Sequence, residues 1–258
     1  MSVSPQNLFV AFGDSLTQTW DEGSLCQRLA YSYCRKLDVI NRGYGGYNTE
    51  WALPILDQAS LDTRTDLILP REEQLTNGSP KIEIMTVWFG ANDACLPPSA
   101  QHLSISDFSN NLDKIITSVQ TRSPQTKLVL ITPPPIHGPT RAGLMAPRAL
   151  DRSQENTKAF ADAVLKVGQD TNVPVVDIFR GIENYLGGDL ERTKEVLRDG
   201  LHFNKEGYQV LYDLLISTIK ENYPSLEPDT LQLTWPVWSD IDRSDVQRSV
   251  VARPRDEL

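Results

Sequence analysis

The chain has 258 residues, of which 40% are hydrophobic and 23% charged, as is typical of a globular protein with a full core. Its formal net charge of −9 argues against nucleic acid or an anionic membrane as the main partner, because both bind clustered lysine and arginine. No apolar run reaches the length of a membrane span, and the first residues lack the pattern of a signal peptide, so we expect a cytoplasmic protein.

Five apolar segments alternate with stretches of helical spacing, which predicts a parallel sheet with helices on both faces. The predicted strands are Leu8–Phe12, Leu37–Ile40, Ile82–Phe89, Lys127–Ile131 and Val173–Ile178. The predicted helices are Ser24–Lys36, Thr49–Leu56, Ile105–Arg122, Gln154–Gln169 and Lys205–Glu221. Ligands of such sheets lie outside the carboxyl ends of the strands. The polar loops that follow the strands are therefore the first places to search for a site.

The loop after the first strand reads Gly13-Asp14-Ser15-Leu16 and predicts a tight turn into a helix, with Ser15 on the turn. A serine hydroxyl becomes a nucleophile when a neutral imidazole takes its proton, and a carboxylate holds that imidazole in the required tautomer. Gly-Asp-Ser is also an ordinary turn composition, so Ser15 needs partners elsewhere in the chain.

Two further loops offer N–H donors for a developing negative charge. Asn41–Gly46 follows the second strand, and its glycines let the backbone approach a ligand closely. Gly90–Asp93 follows the third strand, where the Asn92 amide could donate a second hydrogen bond. An acyl-transfer site requires such donors, although each loop alone also fits a flexible turn or a helix cap.

Of three histidines, His202 is the candidate base because Asp199 precedes it by three residues and Gly200 allows a tight turn between them. His102 and His137 have no acid at a suitable spacing, and we interpret His102 as a surface or core residue.

The chain has a Pro-rich break at Pro133–Pro135, and Ile136, Leu144 and Met145 are large apolar residues in the segment that follows. These residues could line an acyl or alcohol pocket, or they could anchor the loop. Elsewhere, Cys26, Cys34 and Cys95 have no zinc-site spacing, so we expect reduced structural thiols.

We predict a main domain over residues 1–224 and an extension over residues 225–258, which carries Trp235 and Trp238. The extension should pack on the domain or on a second subunit, the latter giving a homodimer, and we expect its end to be disordered. The terminal Arg255–Leu258 resembles a retrieval signal of the endoplasmic reticulum, which we interpret as coincidental.

Four separated blocks together resemble the SGNH, or GDSL-type, hydrolase family. They are Phe12-Gly13-Asp14-Ser15-Leu16-Thr17, Asn41 to Gly46, Gly90-Ala91-Asn92-Asp93 and Asp199-Gly200-Leu201-His202-Phe203. The resemblance implies an α/β fold, a three-layer α/β/α flavodoxin-like sandwich with a central parallel sheet of about five strands.

The resemblance also implies a role for each motif residue. Ser15 would be the nucleophile, His202 the base and Asp199 the orienting acid. The N–H groups of Ser15 and Gly46 and the Asn92 amide would form the oxyanion hole. Gly46, rather than the adjacent Gly45, closes the family's Asn-x-x-x-x-Gly spacing, and Asp14 and Asp93 would hold the turns.

Longer strings around the last three blocks resemble the isoamyl acetate-hydrolysing esterase subgroup, which implies short-chain acetate esters as small-molecule substrates and no metal or organic cofactor. The same site could instead serve a carbohydrate O-deacetylase, a lysophospholipase or a thioesterase. A catalytically silent binding protein would also keep this fold. We disfavour a nucleotide-binding protein, because no Gly-x-Gly-x-x-Gly or Walker sequence follows the first strand.

Overall fold

Five parallel strands form one sheet in the computed structural model, which describes residues 6–57, 80–145 and 151–252. The strands in chain order are β1 (Leu8–Gly13), β2 (Asp38–Gly43), β3 (Ile82–Trp88), β4 (Lys127–Ile131) and β5 (Val175–Val176). Their spatial order is β2-β1-β3-β4-β5, so the first strand of the chain lies inside the sheet. The end of the C-terminal extension, with its Arg255–Leu258 motif, lies outside the described residues, as does the Met145 side chain.

Helices cover both faces of this sheet. They are α1 (Ser15–Gln18), α2 (Leu25–Ser32), α3 (Thr49–Asp57), α4 (Ile105–Arg122), α5 (Gly138–Met145), α6 (Gln154–Thr171), α7 (Ile178–Tyr185), α8 (Lys205–Asn222) and α9 (Val246–Ser249). None of the helices within the described residues combines the length and the apolar character needed to cross a bilayer. Sequence analysis did not predict α5, α7 or α9.

The two-residue period of the strands divides the core into two layers. Phe9 and Trp88 face one side, where they pack in the same buried cluster as side chains of α2, α7 and α8. Val10 and Val87 face the other side and pack with side chains of α3, α4 and α6. Burial of these apolar surfaces is the main favourable term that holds the layers together. The predicted three-layer α/β/α fold is therefore confirmed.

Two strands differ from their predicted bounds by more than one residue, whereas β1 and β3 differ by one residue at their ends. β2 continues through Asn41 and Arg42 to Gly43, because these residues pair in register with Ala11, Phe12 and Gly13 of β1. An edge strand tolerates such polar side chains, which broke the apolar pattern used to predict its end. β5 is only two residues long, because the Asp177 side chain accepts a hydrogen bond from Arg180 N and so caps α7 directly after Val176.

Residues 226–236 of the C-terminal extension lie against the turn that follows α2. The Tyr33 hydroxyl donates to Leu226 O at 2.9 Å, and Thr234 N donates to Arg35 O at 2.9 Å. Leu226 and Leu231 are buried in the same core layer as α2 and α8. Trp238, by contrast, is 82% exposed. The extension therefore contributes two apolar side chains to the core before it reaches the surface.

Candidate active site

Ser15 stands on a turn that only a preceding glycine allows. β1 ends at Gly13, where a Cβ atom would lie 2.2 Å from Thr17 Oγ1 and 2.5 Å from Trp88 O. The Asp14 side chain then accepts a hydrogen bond from Leu16 N at 2.9 Å and caps α1. Ser15 is the first residue of this helix, at the carboxyl end of an interior strand, and it is partly exposed.

Asp199 and His202 lie on a second tight loop. Gly200 has a φ of +82°, and a Cβ atom there would lie 2.7 Å from His137 O, so this position requires glycine. Asp199 Oδ1 accepts hydrogen bonds from Leu201 N at 3.0 Å and His202 N at 2.7 Å. These bonds fix the carboxylate relative to the backbone that carries the imidazole.

The two loops bring three side chains into one hydrogen-bonded line. Ser15 Oγ lies 2.9 Å from His202 Nε2, and His202 Nδ1 lies 2.6 Å from Asp199 Oδ2. Because an ionised carboxylate can only accept, the proton belongs on Nδ1, and the lone pair of Nε2 faces the serine hydroxyl. The arrangement can therefore remove the hydroxyl proton when Ser15 attacks an electrophile.

Asp199 stays ionised in this setting. Burial alone would raise the pKa of its carboxyl group, but hydrogen bonds from the His202 ring and from two backbone N–H groups, together with the charge of a protonated His202, lower that pKa well below its usual range. The carboxylate is thus ready to stabilise an imidazolium at neutral pH.

Two contacts hold the histidine side of the site against the serine side. The Tyr208 hydroxyl, on α8, donates to Leu16 O at 2.7 Å and so joins α8 to α1. Arg198 donates to Thr19 Oγ1 at 3.1 Å and to Asp21 Oδ2 at 3.0 Å. The spacing between nucleophile and base is therefore fixed by neighbours on both chain segments.

The loop after β2 brings Gly46 to the same edge of the sheet. Tyr44 N donates to Gly13 O at 2.8 Å, next to the serine turn. Gly45 N donates to the side-chain oxygen of Gln18, so this N–H group is already used. Gly46 has a φ of +81°, and its N–H group meets no acceptor among the described residues. Of the two adjacent glycines, Gly46 is thus the one whose N–H group can serve a ligand.

Asn92, after β3, presents a side-chain amide at this edge. One N–H of its Nδ2 group donates to Tyr47 O at 2.9 Å. Its Oδ1 atom accepts from Arg152 Nη2 at 2.9 Å and from Gln101 Nε2 at 3.2 Å. The second N–H of the amide is left to donate elsewhere, since a primary amide carries two donors.

Each turn rests on one buried aspartate. Asp93 accepts from Thr49 N at 2.8 Å, from Thr49 Oγ1 at 2.6 Å and from Gly90 N at 3.1 Å, whereas Asp14 supports the turn of Ser15. Burial raises the pKa of Asp93 to about 6 and that of Asp14 to about 7, despite hydrogen bonds that lower both.

The other candidates from the sequence take ordinary places. His102 Nδ1 lies 2.6 Å from Cys95 O, and His137 Nδ1 lies 2.6 Å from Thr140 Oγ1. Ile136 is buried in the core, and Leu144 is 62% exposed on α5. Within the described ranges, no group of three or more histidine, cysteine or acidic side chains could hold a metal ion.

Sequence reasoning missed several residues that support the site. They are Gln18, Gln101, Arg152, Arg198 and Tyr208. A polar residue in a loop or at the end of a helix is usually solvated, so none of the first four stood out from its surroundings. Tyr208 had a weak signal, because it lies in the predicted helix Lys205–Glu221 and a tyrosine often buries its ring while its hydroxyl finds a hydrogen-bond partner.

The chain is similar to several known proteins over most of its length. The model of the GDSL-like lipase/acylhydrolase family matches residues 11–210. A GDSL esterase/lipase of Arabidopsis thaliana is 32% identical, with 95% of this chain and 97% of the relative covered. The isoamyl acetate-hydrolyzing esterase 1 homolog of Bos taurus is 31% identical, with 93% and 90% covered.

The solved structures agree with the sequence relatives. The lipase/acylhydrolase from Enterococcus faecalis superposes with a TM-score of 0.59 at 28% sequence identity, covering 84% of this chain and 96% of that protein. The family match includes every residue of the hydrogen-bonded line described above, from Ser15 to His202.

Proposed function

This chain belongs to the GDSL-like lipase/acylhydrolase family and is a carboxylic ester hydrolase, and we propose that it hydrolyses short-chain acetate esters of small alcohols through an acyl-enzyme on Ser15. The observation that carries the proposal is the line Ser15–His202–Asp199, with distances of 2.9 and 2.6 Å. A hydroxyl, an imidazole and a carboxylate in this order have the chemistry needed for acyl transfer.

In the first step, Ser15 Oγ bonds to the ester carbonyl carbon while its proton passes to His202 Nε2. The tetrahedral intermediate collapses when the bond from carbon to the alcohol oxygen breaks, and His202 gives the proton to the departing alcohol. Water then attacks the acyl-enzyme by the same route, which releases the carboxylic acid and restores the Ser15 hydroxyl. Asp199 holds the Nδ1 proton and stabilises the imidazolium throughout.

The charge that develops on the carbonyl oxygen needs fixed donors. We assign this task to the backbone N–H groups of Ser15 and Gly46 and to the second N–H of the Asn92 amide. Support comes from the hydrogen bonds that occupy the neighbouring donors, Gly45 N–H and the first N–H of Asn92. The Gly46 N–H and the second N–H of Asn92 are left for the substrate.

The choice of substrate rests on the relatives. The Bos taurus protein, 31% identical over almost the whole chain, is named for hydrolysis of isoamyl acetate. We therefore place short-chain acetate esters ahead of acetylated sugars, lysophospholipids and thioesters.

The test is hydrolysis of p-nitrophenyl acetate, butyrate and octanoate, and of isoamyl acetate, by the purified full chain and by Ser15→Ala. Ser244→Ala, which removes an exposed hydroxyl of the C-terminal extension, is the matched control. We expect wild type and control to favour acetate over octanoate, and Ser15→Ala to lose at least about 10³-fold in kcat while its melting temperature stays unchanged.

Other results redirect the proposal in defined ways. Preference for octanoate would replace the short-chain esterase by a lipase-type activity on longer acyl chains. Serine-dependent acetate release from acetylated oligosaccharides, without turnover of simple esters, would indicate a deacetylase. Full activity of Ser15→Ala would remove Ser15 from the chemistry.

A further inference from the structure

Arg152 lies buried beneath Asn92, although it belongs to none of the four motif blocks. Its side chain donates from Nε to Ala91 O at 2.9 Å and from Nη2 to Asn92 Oδ1 at 2.9 Å. The residue is only 2% exposed, and Asn92 is 3% exposed. A fully buried arginine is rare, so its contacts indicate what the burial accomplishes.

The first effect of Arg152 concerns the direction of the Asn92 amide. An amide side chain can rotate by 180° and exchange its oxygen with its NH₂ group at little cost in shape. A guanidinium carries donors only, so a rotated amide would place its NH₂ group against the N–H groups of Arg152. Arg152 thereby keeps the Asn92 oxygen facing inward and the Nδ2 group facing the carboxyl ends of the strands, where Ser15 lies.

The second effect concerns charge. Asp151 accepts hydrogen bonds from Arg152 and from Arg141, which lies on α5. Burial would raise the pKa of Asp151, but the bonds and charges of these two arginines lower it below its ordinary value. One carboxylate therefore faces two guanidinium groups, and one of these, that of Arg152, lies directly against the Asn92 oxygen. A cation on the amide oxygen polarises the group and strengthens its N–H bonds as donors.

Gln101 adds a link between two groups that the proposed oxyanion hole uses. Its Nε2 atom donates to Gly46 O at 2.7 Å and to Asn92 Oδ1 at 3.2 Å. One amide thus holds the loop after β2 and the loop after β3 at a fixed separation. Arg152 and Gln101 together supply both partners of the Asn92 oxygen.

We propose that Arg152 is a positioning residue of the oxyanion hole: its buried guanidinium fixes the direction of the Asn92 amide and strengthens it as a donor to the substrate oxygen. The inference rests on the proposed function in one respect, the assignment of Asn92 to the oxyanion hole. Arg152 itself touches no reacting atom and acts through Asn92 alone.

The experiment is a double-mutant cycle on kcat for p-nitrophenyl acetate, with wild type, Arg152→Met, Asn92→Ala and the double variant. Loss of an oxyanion-hole donor costs about 10²- to 10³-fold in kcat, and we expect about 10- to 100-fold for Arg152→Met, with KM little changed. In the Asn92→Ala background, the same arginine substitution should have almost no further effect. Equal losses in both backgrounds would overturn the proposal, because a merely structural arginine would act without Asn92.

Two variants separate positioning from general damage. Arg122→Met removes a half-buried arginine that donates to Leu56 O. Arg122 lies on the last turn of α4, at the opposite edge of the sheet from the site, so this variant should keep wild-type kcat. Arg152→Lys keeps the charge but loses the fork that reaches two acceptors, so we expect an intermediate kcat. If Arg152→Met does not fold, the cycle is run with Arg152→Lys, and the same coupling to Asn92 decides the result.

A readout independent of turnover distinguishes this inference from the proposed function. The side-chain NH₂ resonances of Asn92, assigned by their loss in Asn92→Ala, should shift in Arg152→Met and stay in place in Arg122→Met. If wild type hydrolyses no ester and these resonances still shift, the proposed function fails and the positioning by Arg152 stands. Unshifted Asn92 resonances in Arg152→Met would overturn the positioning, whatever the activity.

Discussion

The two halves of the candidate site are held in different ways. In the triad half, Ser15, His202 and Asp199 bond to one another, so the groups that would react also fix the geometry. In the half that we assign to the oxyanion hole, the oxyanion half, Gly46 and Asn92 belong to separate loops. Gln101 links the two loops, and Arg152 anchors Asn92. The difference teaches that the triad should fail abruptly when one member changes, whereas the oxyanion half should weaken by degrees.

The largest effect that would sharpen this comparison is expected for Asp199→Asn. The amide would present an N–H group to His202 Nδ1 and favour the wrong tautomer, so kcat should fall by about 10³- to 10⁴-fold with the fold intact. Turnover of p-nitrophenyl acetate measures kcat, and circular dichroism measures whether the fold is intact. Asp245→Asn, at the exposed cap of α9, is the matched control. A loss below tenfold would show that the histidine does not depend on its direct partner.

A smaller effect is expected for Gln101→Leu in the oxyanion half. Gly46 O and Asn92 Oδ1 would each lose one hydrogen bond, but Arg152 would still hold the amide. We expect kcat for p-nitrophenyl acetate to fall by about 3- to 10-fold, which corresponds to one neutral hydrogen bond. Gln125 lies on the turn before β4, at the far edge of the sheet, so Gln125→Leu should leave this kcat unchanged. A loss as large as that of Asn92→Ala would contradict graded behaviour.

The smallest effect on activity, but a clear one on stability, concerns the buried aspartate under Ser15. The pKa of Asp14 is raised to about 7 from 3.8, so the folded state binds more protons than the unfolded state between about pH 4 and 7. The free energy of unfolding therefore falls as pH rises through this window. Asp14→Asn removes the ionisation and can keep the bond from Leu16 N, so its melting temperature should decline less between pH 5 and 8.

The corresponding aspartate in the oxyanion half provides the comparison. The pKa of Asp93 is raised less, to about 6, because Thr49 and Gly90 donate to its carboxylate. Asp93→Asn should flatten the stability profile over a lower and narrower pH range, and it should also lose acceptor capacity and thus stability at every pH. Identical pH profiles for wild type and Asp14→Asn would refute the assignment of the window to Asp14.

The fold was predictable because its main signals are local. Apolar runs and the three- to four-residue spacing of Phe108, Leu112 and Ile115 indicate strands and helices without knowledge of tertiary contacts. The end of β2 was not predictable in this way, since Asn41 and Arg42 enter the sheet through pairing with β1. Tertiary pairing overrode the local pattern there.

The same distinction applies to the site. Ser15, Asn92 and His202 lie in short motifs, so sequence alone could nominate them, and the structure brings them to one edge of the sheet. Arg152 could not be nominated, because its proposed role depends on its burial against Asn92, 60 positions away. An isolated arginine in a polar segment carries no sign that it is buried.

Ser15 and His202 are 187 positions apart in the chain, and this separation also sets a time interval during synthesis. At a synthesis rate of about 5–20 residues per second, the turn that carries the serine emerges roughly 10–40 s before its histidine. The interval between Leu16 and Tyr208, the side chain that joins α8 to α1, is about as long. A nascent chain therefore carries the proposed nucleophile without its proposed base for this interval, and hydrolytic competence requires that the histidine segment has been made.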